Sequence, residues 1–302
     1  MSDTSLRQLG RDFRWGHRPV VPRSAEEHRV PAPAREFPTA WARSPAARVV
    51  RAALQTGVLG PVVRAEVTPV VLGVDRLERL GDGAAVLVGN HASHLDTAVL
   101  LSALPPALRR RTAVAAAADY FFDRWWRGVG TSLLFGTVPI ERRGGMASQT
   151  PGRLLDEGWL VVVFPEGTRS VDGWLGRFRL GAANLALAHG VPLVPVAIRG
   201  SHTAMPRGRG WPVGGRPQVH VIFGVPLHPL AGESAAELTA RSSAAVARLL
   251  DEDATDWWSS LRRAADGATP DAAGPVAASW RRRWESSRPV QPPADPRPRV
   301  WR

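Results

Sequence analysis

Cysteine is absent from the 302 residues. Its absence excludes disulfides, thiolate zinc sites and a cysteine nucleophile, and it fits a reducing compartment. Lysine is absent as well, so all 39 Lys-or-Arg positions are arginine. Tyrosine occurs once and the phenylalanines are scattered, which leaves no aromatic platform for stacking bases; nucleic acid is not an expected partner. No apolar run is long enough to cross a bilayer, so no transmembrane helix is expected. The first residues, MSDTSLRQLGRDFRWGHRP, lack an apolar h-region, so no signal peptide is expected either. Neither H-E-x-x-H nor G-x-S-x-G occurs. The first argues against a zincin-type metal site, the second against a serine nucleophile elbow.

What the chain does contain is a globular balance, 44% hydrophobic and 22% charged, with a net charge of +12. That sign suits nucleic acid, an anionic membrane surface or phosphorylated substrates. A GC-rich coding bias would also give arginine without lysine.

Residues 1–38 mix Arg, Glu and Pro without periodicity and read as a flexible basic arm. From Trp41 to about Val63 the spacing of Val49, Ala53, Leu54 and Val58 is helical. Short apolar runs and helical stretches then alternate. TPVVLGVDRL, AAVLVGN, RTAVAAA, TVPIER, WLVVVFPEG, VPLVPVAIRG and PQVHVIFGVPL read as strands. LDTAVLLSAL, DYFFDRWWRGVGTSLLFG, TPGRLLDEG and RFRLGAANLALAHG read as helices. The alternation predicts an α/β fold, a mixed, largely parallel sheet flanked by helices. Runs such as LVVVF lack polar alternation and suit strands buried on both faces. One amphipathic helix is expected over SAAELTARSSAAVARLLDEDATDWWSSLRRAA. The organisation is thus an arm at 1–38, a folded domain at 39–265 and a disordered Pro/Arg-rich tail at 266–302.

Three loops combine reactive residues with a position after an apolar strand, where α/β sheets bind ligands. In NHASHLD, His91 and Asp96 are five apart. On one continuous helix they would diverge by roughly 140° around the axis. The pair therefore meets only if His91 precedes the helix that contains Asp96. Two readings coexist. Ser93 and Asp96 form a variant of the capping box, or Asp96 orients His91 so that its other ring nitrogen takes a proton from a hydroxyl. His94 is expected to point away from Asp96. The second loop, GTVPIERRGG, offers Arg142 and Arg143, whose forked guanidinium groups suit phosphate. In the third, FPEGTRS, Gly167 permits a tight turn, Glu166 and Arg169 project, and hydroxyls such as that of Thr168 are placed to cradle an anion. A surface Arg pair and an ordinary strand-to-helix turn are the plain alternatives for these two loops.

Together these stretches resemble the 1-acylglycerol-3-phosphate acyltransferase family of glycerolipid acyltransferases. Its first motif, Asn-His followed by four residues and Asp, is matched by Asn90, His91 and Asp96. Gly136, Ile140 and Arg142 match Gly-x-x-x-Ile-x-Arg, and Phe164 to Ser170 match Phe-Pro-Glu-Gly-Thr-Arg-Ser in full. Val191 to Val196 match Val-Pro-Ile-Val-Pro-Val with Leu193 for Ile. The resemblance spans residues 65–228.

The resemblance implies that His91 is the general base, oriented by Asp96, and that Arg142 and Arg169 hold an acceptor phosphate. Glu166, Gly167 and Thr168 would shape that pocket, and Pro195 the acyl or acceptor site. It implies acyl transfer from acyl-CoA or acyl carrier protein, as co-substrate and without a further cofactor or metal. The acceptor would be a lysophospholipid, 1-acyl-sn-glycerol 3-phosphate, giving phosphatidate. Another lysolipid or glycolipid acceptor, and a non-catalytic basic membrane-binding protein, are the alternatives. Pro139 stands where the family has an aromatic or β-branched residue and bears on acceptor choice. Many relatives carry a membrane anchor. Here YFFDRWWRGVGTSLLF, Trp257-Trp258 and WRRRW (280–284) are the expected interfacial elements, placing the protein in the cytoplasm on the inner face of the cell membrane.

Overall fold

The computed structural model describes residues 39–117, 125–140, 150–277 and 279–286; the expected arm at 1–38 lies outside them. A 3-10 turn at Ala40–Arg43 leads into α1 (Pro45–Leu54), a π-helical turn at Gln55–Leu59 and α2 (Gly60–Glu66). The helical spacing from Trp41 to Val63 is thus met by several successive helical pieces.

The strands are β1 (Thr68–Leu72), β2 (Ala85–Gly89), β3 (Thr112–Ala117), β4 (Thr137–Ile140), β5 (Leu160–Val163), β6 (Leu193–Arg199) and β7 (Gln218–Phe223). Between them lie α3 (Leu95–Ala103), α4 (Pro106–Arg110), α5 (Trp125–Phe135), α6 (Thr150–Asp156), α7 (Gly181–His189) and α8 (Ser201–Ala204). After β7 come α9 (Ala235–Ala254), α10 (Trp257–Ala265) and α11 (Ser279–Ser286).

The strands form one sheet in the order β1-β7-β6-β2-β5-β3-β4. Every pairing is parallel except the antiparallel β6–β7 contact. This is the mixed, largely parallel α/β sheet expected. The central strands β2 and β5 are buried at every residue, as their continuous apolar runs require. Each such Val or Leu contributes about 1.5–3 kcal/mol by leaving water.

Two layers cover the sheet. Leu95, Val99, Leu100 and Leu101 of α3 pack with Leu87, Val162, Val194 and Val196 on one face. Ala182, Ala183 and Ala186 of α7 pack with Val86, Val88, Val161 and Leu193 on the other. The chain leaves β2 through α3 toward β3, beyond β5, and leaves β5 through α7 toward β6, beyond β2. Adjacent strands whose connections depart in opposite directions open a crevice at their carboxyl ends. That crevice is where NHASHLD and FPEGTRS emerge.

Several sequence readings are corrected. The strand read over TPVVLGVDRL ends at Leu72, because Gly73 adopts φ 72° and a 3-10 helix follows at Val74–Leu80. RFRL does not join α7; Phe178 is buried, and the Arg179 N–H donates to Pro165 O, which holds an irregular loop. The long helix after Pro229 breaks at Thr255, where φ −132° and ψ −100° are non-helical. Asp256 then caps α10 by accepting from Ser259 N. Of the tail, residues 266–277 and 279–286 are described. Leu175 N donates to Ala272 O, and α11 is fastened to the domain through Arg282. Composition gave no hint of those partners, which lie some 110 residues upstream. Residues 287–302 lie outside the described set, as do 118–124 of the aromatic helix.

Candidate active site

Asn90 follows β2 and prolongs its ladder with a side chain. Its amide donates to Ile198 O (2.8 Å) and accepts from Ile198 N (2.7 Å). This pins the start of the loop to the end of β6. The next residue, His91, stacks on Phe164 at the end of β5, with centroids 4.3 Å apart and planes 17° from parallel.

Asp96 has no solvent exposure. Its Oδ2 lies 2.8 Å from His91 Nδ1 and accepts from Ala92 N and Ser93 N, both at 2.8 Å. Its Oδ1 is buried with no hydrogen-bond partner among the described residues. An ionised carboxylate only accepts, so in a pair of carboxylate and neutral imidazole Nδ1 would donate and Nε2 would keep its lone pair. The expected separation holds: His91 precedes the helix and Asp96 lies in its first turn. The capping variant is present as well: Ser93 N donates to Asp96 Oδ2 and Leu95 N to Ser93 Oγ, although the regular helix begins at Leu95 and Ser93 Oγ also donates to Met205 O. Burial, then Arg169, then His91 depress the His94 imidazole to about 4, so it is neutral at physiological pH.

The FPEGTRS loop meets this pair through its backbone and through Glu166. Ser170 N donates to His91 O at 2.7 Å. Glu166 is 8% exposed and faces inward. Its Oε1 accepts from His91 N (2.8 Å) and its Oε2 from Gly176 N (3.1 Å). Burial pushes its carboxyl up to about 7, against the pull of those two N–H groups. Glu166 therefore ties two loops together. Gly167 has φ 71°, and a Cβ there would lie 3.0 Å from the Arg179 guanidinium carbon. Thr168 is exposed, and Arg169 is half-buried near enough to His94 to lower its pKa.

Of the residues singled out in the sequence, His91, Asp96, Glu166, Gly167, Thr168 and Arg169 thus converge on one crevice. Arg142 lies outside the described residues. Pro195 sits inside β6, buried, with its ring against Gly224 and its carbonyl accepting from Gly224 N. It packs against Gly224 within the strand. Among the described residues no group of three or more His, Cys, Asp or Glu is arranged to hold a metal ion. The sequence reading assigned no part to the Asn90 side chain, the Phe164 ring or Ser170 N. The first needed the β2–β6 adjacency, the others the β2–β5 adjacency.

A doubly wound sheet here brings a His–Asp pair, its carboxylate fully buried and its imidazole part-buried, and an arginine-bearing loop to its switch point, as α/β domains with a ligand site at the strand ends do. Residues 69–199 match the family model described as Acyltransferase. The chloroplastic 1-acyl-sn-glycerol-3-phosphate acyltransferase of Arabidopsis thaliana is 33% identical over 164 residues, 52% of this chain and 44% of that protein. The human alpha form is 28% identical over 180 residues, 57% of this chain and 60% of that protein. The crystal structure of the 1-acyl-sn-glycerophosphate acyltransferase PlsC from Thermotoga maritima superposes with a TM-score of 0.53 at 25% identity. That match covers 68% of this chain and 87% of that one. The chain spans 44% to 60% of these two curated relatives. Over residues 69–199 it is similar to acyltransferases, the 1-acyl-sn-glycerol-3-phosphate acyltransferases among them.

Proposed function

We propose that the protein transfers a fatty acyl group from acyl-CoA or acyl carrier protein to the free hydroxyl of 1-acyl-sn-glycerol 3-phosphate, giving phosphatidate. The observation that carries this reading is the His91–Asp96 contact of 2.8 Å, with the Arg169 loop hydrogen-bonded to the His91 carbonyl. His91 Nε2 takes the proton of the acceptor hydroxyl while its oxygen bonds to the thioester carbonyl carbon. The tetrahedral intermediate collapses, the carbon–sulfur bond breaks, and the imidazolium returns the proton to the thiolate. Asp96 stabilises the imidazolium and fixes the tautomer. Arg169, with Arg142 from the second motif, grips the acceptor phosphate. No acyl-enzyme forms, in keeping with a sequence that offers neither cysteine nor a serine elbow.

A lipid acceptor calls for a membrane surface, and we place the protein peripherally on the inner face of the cell membrane. No helix among the described residues is long and apolar enough to cross a membrane. Exposed Val49, Val50, Val58 and Val62 on α1, the π-helical turn and α2, with Trp257 and Trp258 on α10, support an interfacial attachment. Each arginine at an anionic surface adds about 1 kcal/mol.

Purified protein should release free CoA thiol from acyl-CoA only when acceptor is present, and His91→Ala should abolish release while the circular dichroism spectrum persists. Full activity in that variant refutes the mechanism. Pro139, half-buried in β4, favours a second reading in which the acceptor is a neutral or sugar-headed lipid. A preference for such acceptors that survives Arg142→Ala would establish it.

A further inference from the structure

The segment that follows α10 reaches back to the loop beside the candidate site. Arg282 of α11 lies at the centre of the contact. Its Nε donates to Asp172 Oδ2 at 2.6 Å, its Nη1 to Pro275 O at 2.9 Å and its Nη2 to Ala273 O at 2.8 Å. Its own carbonyl accepts from Trp174 Nε1 at 3.0 Å. Gly274, at φ 81°, lies directly against the Trp174 indole, where a Cβ would collide with the ring. Leu175 N donates to Ala272 O at 3.1 Å. Backbone, indole and guanidinium thus bind residues 272–275 and Arg282 to residues 172–175.

The other end of that loop is bonded to the catalytic strand ends. Asp172 Oδ1 accepts from Ser170 Oγ (3.1 Å) and from Trp174 N (3.3 Å), and Ser170 Oγ accepts from Gly173 N (2.9 Å). Ser170 N donates to His91 O, and Gly176 N to Glu166 Oε2. Two hydrogen bonds therefore separate the Arg282 guanidinium from Ser170, the residue that follows Arg169. Burial alone would raise the Asp172 carboxyl. The Arg282 guanidinium, with the Trp174 N–H and the Ser170 hydroxyl, holds it below the ordinary carboxylate range.

We infer that residues 271–277 and 279–286 form a strap that sets the acceptor-phosphate site, with Arg282 as a positioning residue acting through Asp172 and Ser170 on Arg169. The inference rests on the proposed acyl transfer to a phosphorylated acceptor. A planar guanidinium can satisfy a carboxylate and two carbonyls in three directions at once, whereas lysine offers one compact cation. The strap's role is thus specific to the side chain and not only to packing.

The test uses the full chain with Arg282→Ala, Arg282→Lys and Asp172→Asn. Steady-state kinetics with lysophosphatidate and acyl-CoA are combined with amide hydrogen exchange over residues 164–176. Arg282→Ala and Asp172→Asn should each raise the acceptor KM about tenfold, the scale of one weakened charge-assisted contact, with kcat and the acyl-CoA KM within about threefold. Arg282→Lys should recover part of the loss, and exchange at Ser170, Trp174 and Leu175 should quicken in the alanine variant. An acceptor KM unchanged in both Arg282→Ala and Asp172→Asn overturns the inference, whatever the exchange shows. Should Arg282→Ala fail to fold, Asp172→Asn decides alone. If the wild-type protein shows no transfer at all, the functional reading fails. The exchange measurement then decides the strap: quickened exchange sustains it and unchanged exchange overturns it.

Discussion

Replacing Glu166 by glutamine should alter how stability depends on pH, by an amount that follows from its burial. In the folded protein burial raises the Glu166 carboxyl from 4.5 to about 7, despite hydrogen bonds from His91 N and Gly176 N, and the charges of Asp96 and Asp172 add to the rise. Between those pH values the native state keeps a proton that the unfolded chain has released. The stability contributed is therefore fully present below pH 4.5 and is lost as pH rises through about 7. At about 1.4 kcal/mol per pH unit, the interval amounts to about 3 kcal/mol. With the residue only 8% exposed, solvent screening does not reduce that figure appreciably. Glutamine cannot titrate. It also keeps one acceptor where the carboxylate offers two, which costs about 1–3 kcal/mol at every pH and so drops out of the comparison. Urea unfolding followed by tryptophan fluorescence at several pH values from 4.5 to 8 gives the two stability curves. The wild-type advantage over Glu166→Gln should shrink by about 3 kcal/mol across that range. Parallel curves, with a difference constant to within about 1 kcal/mol, would show that Glu166 does not titrate in this interval and refute the argument.

Two further outcomes follow from the same loops. Asp96→Asn keeps an acceptor for His91 Nδ1, Ala92 N and Ser93 N but removes the charge that stabilises the imidazolium. It also buries an amide where Oδ1 has no partner among the described residues. Acyl transfer should fall about 10²- to 10⁴-fold with near-native circular dichroism, and a loss under about tenfold would remove Asp96 from the mechanism. Gly167→Ala forces an L side chain into φ 71° and presses its Cβ toward the guanidinium end of Arg179. The unfolding free energy should drop by about 1–2 kcal/mol, measured by urea midpoint.

The fold class was legible because its signal is local. LVVV and AVLVG carry no polar residue, and a strand with no polar face is buried on both sides. The His91–Asp96 pair was legible for the same reason, since a five-residue spacing leaves few ways for the two side chains to meet. The bracing contacts of Glu166 were not legible because charged side chains in loops face water by default. Its inward turn exists only because His91 N and Gly176 N, on two separate segments, lie within reach. The packing of Pro195 was not legible because it depends on Gly224, beyond the end of β7. The tail was read as disordered because neither Trp174 nor Asp172 is near it in the chain.

By itself, then, the sequence determined the alternation of elements, the apolar centre of the sheet, and which short stretches carry a base, its carboxylate and an arginine. Those properties arise from residues within one or two turns of each other. Only the tertiary structure decided that β2 and β5 lie side by side with connections departing in opposite directions. That adjacency brings His91 and Arg169 to one crevice, turns Glu166 into a brace and lets Arg282 hold the loop from 110 residues away. Strand order is set by burying both sheet faces at once, a condition on the whole chain that no local pattern encodes.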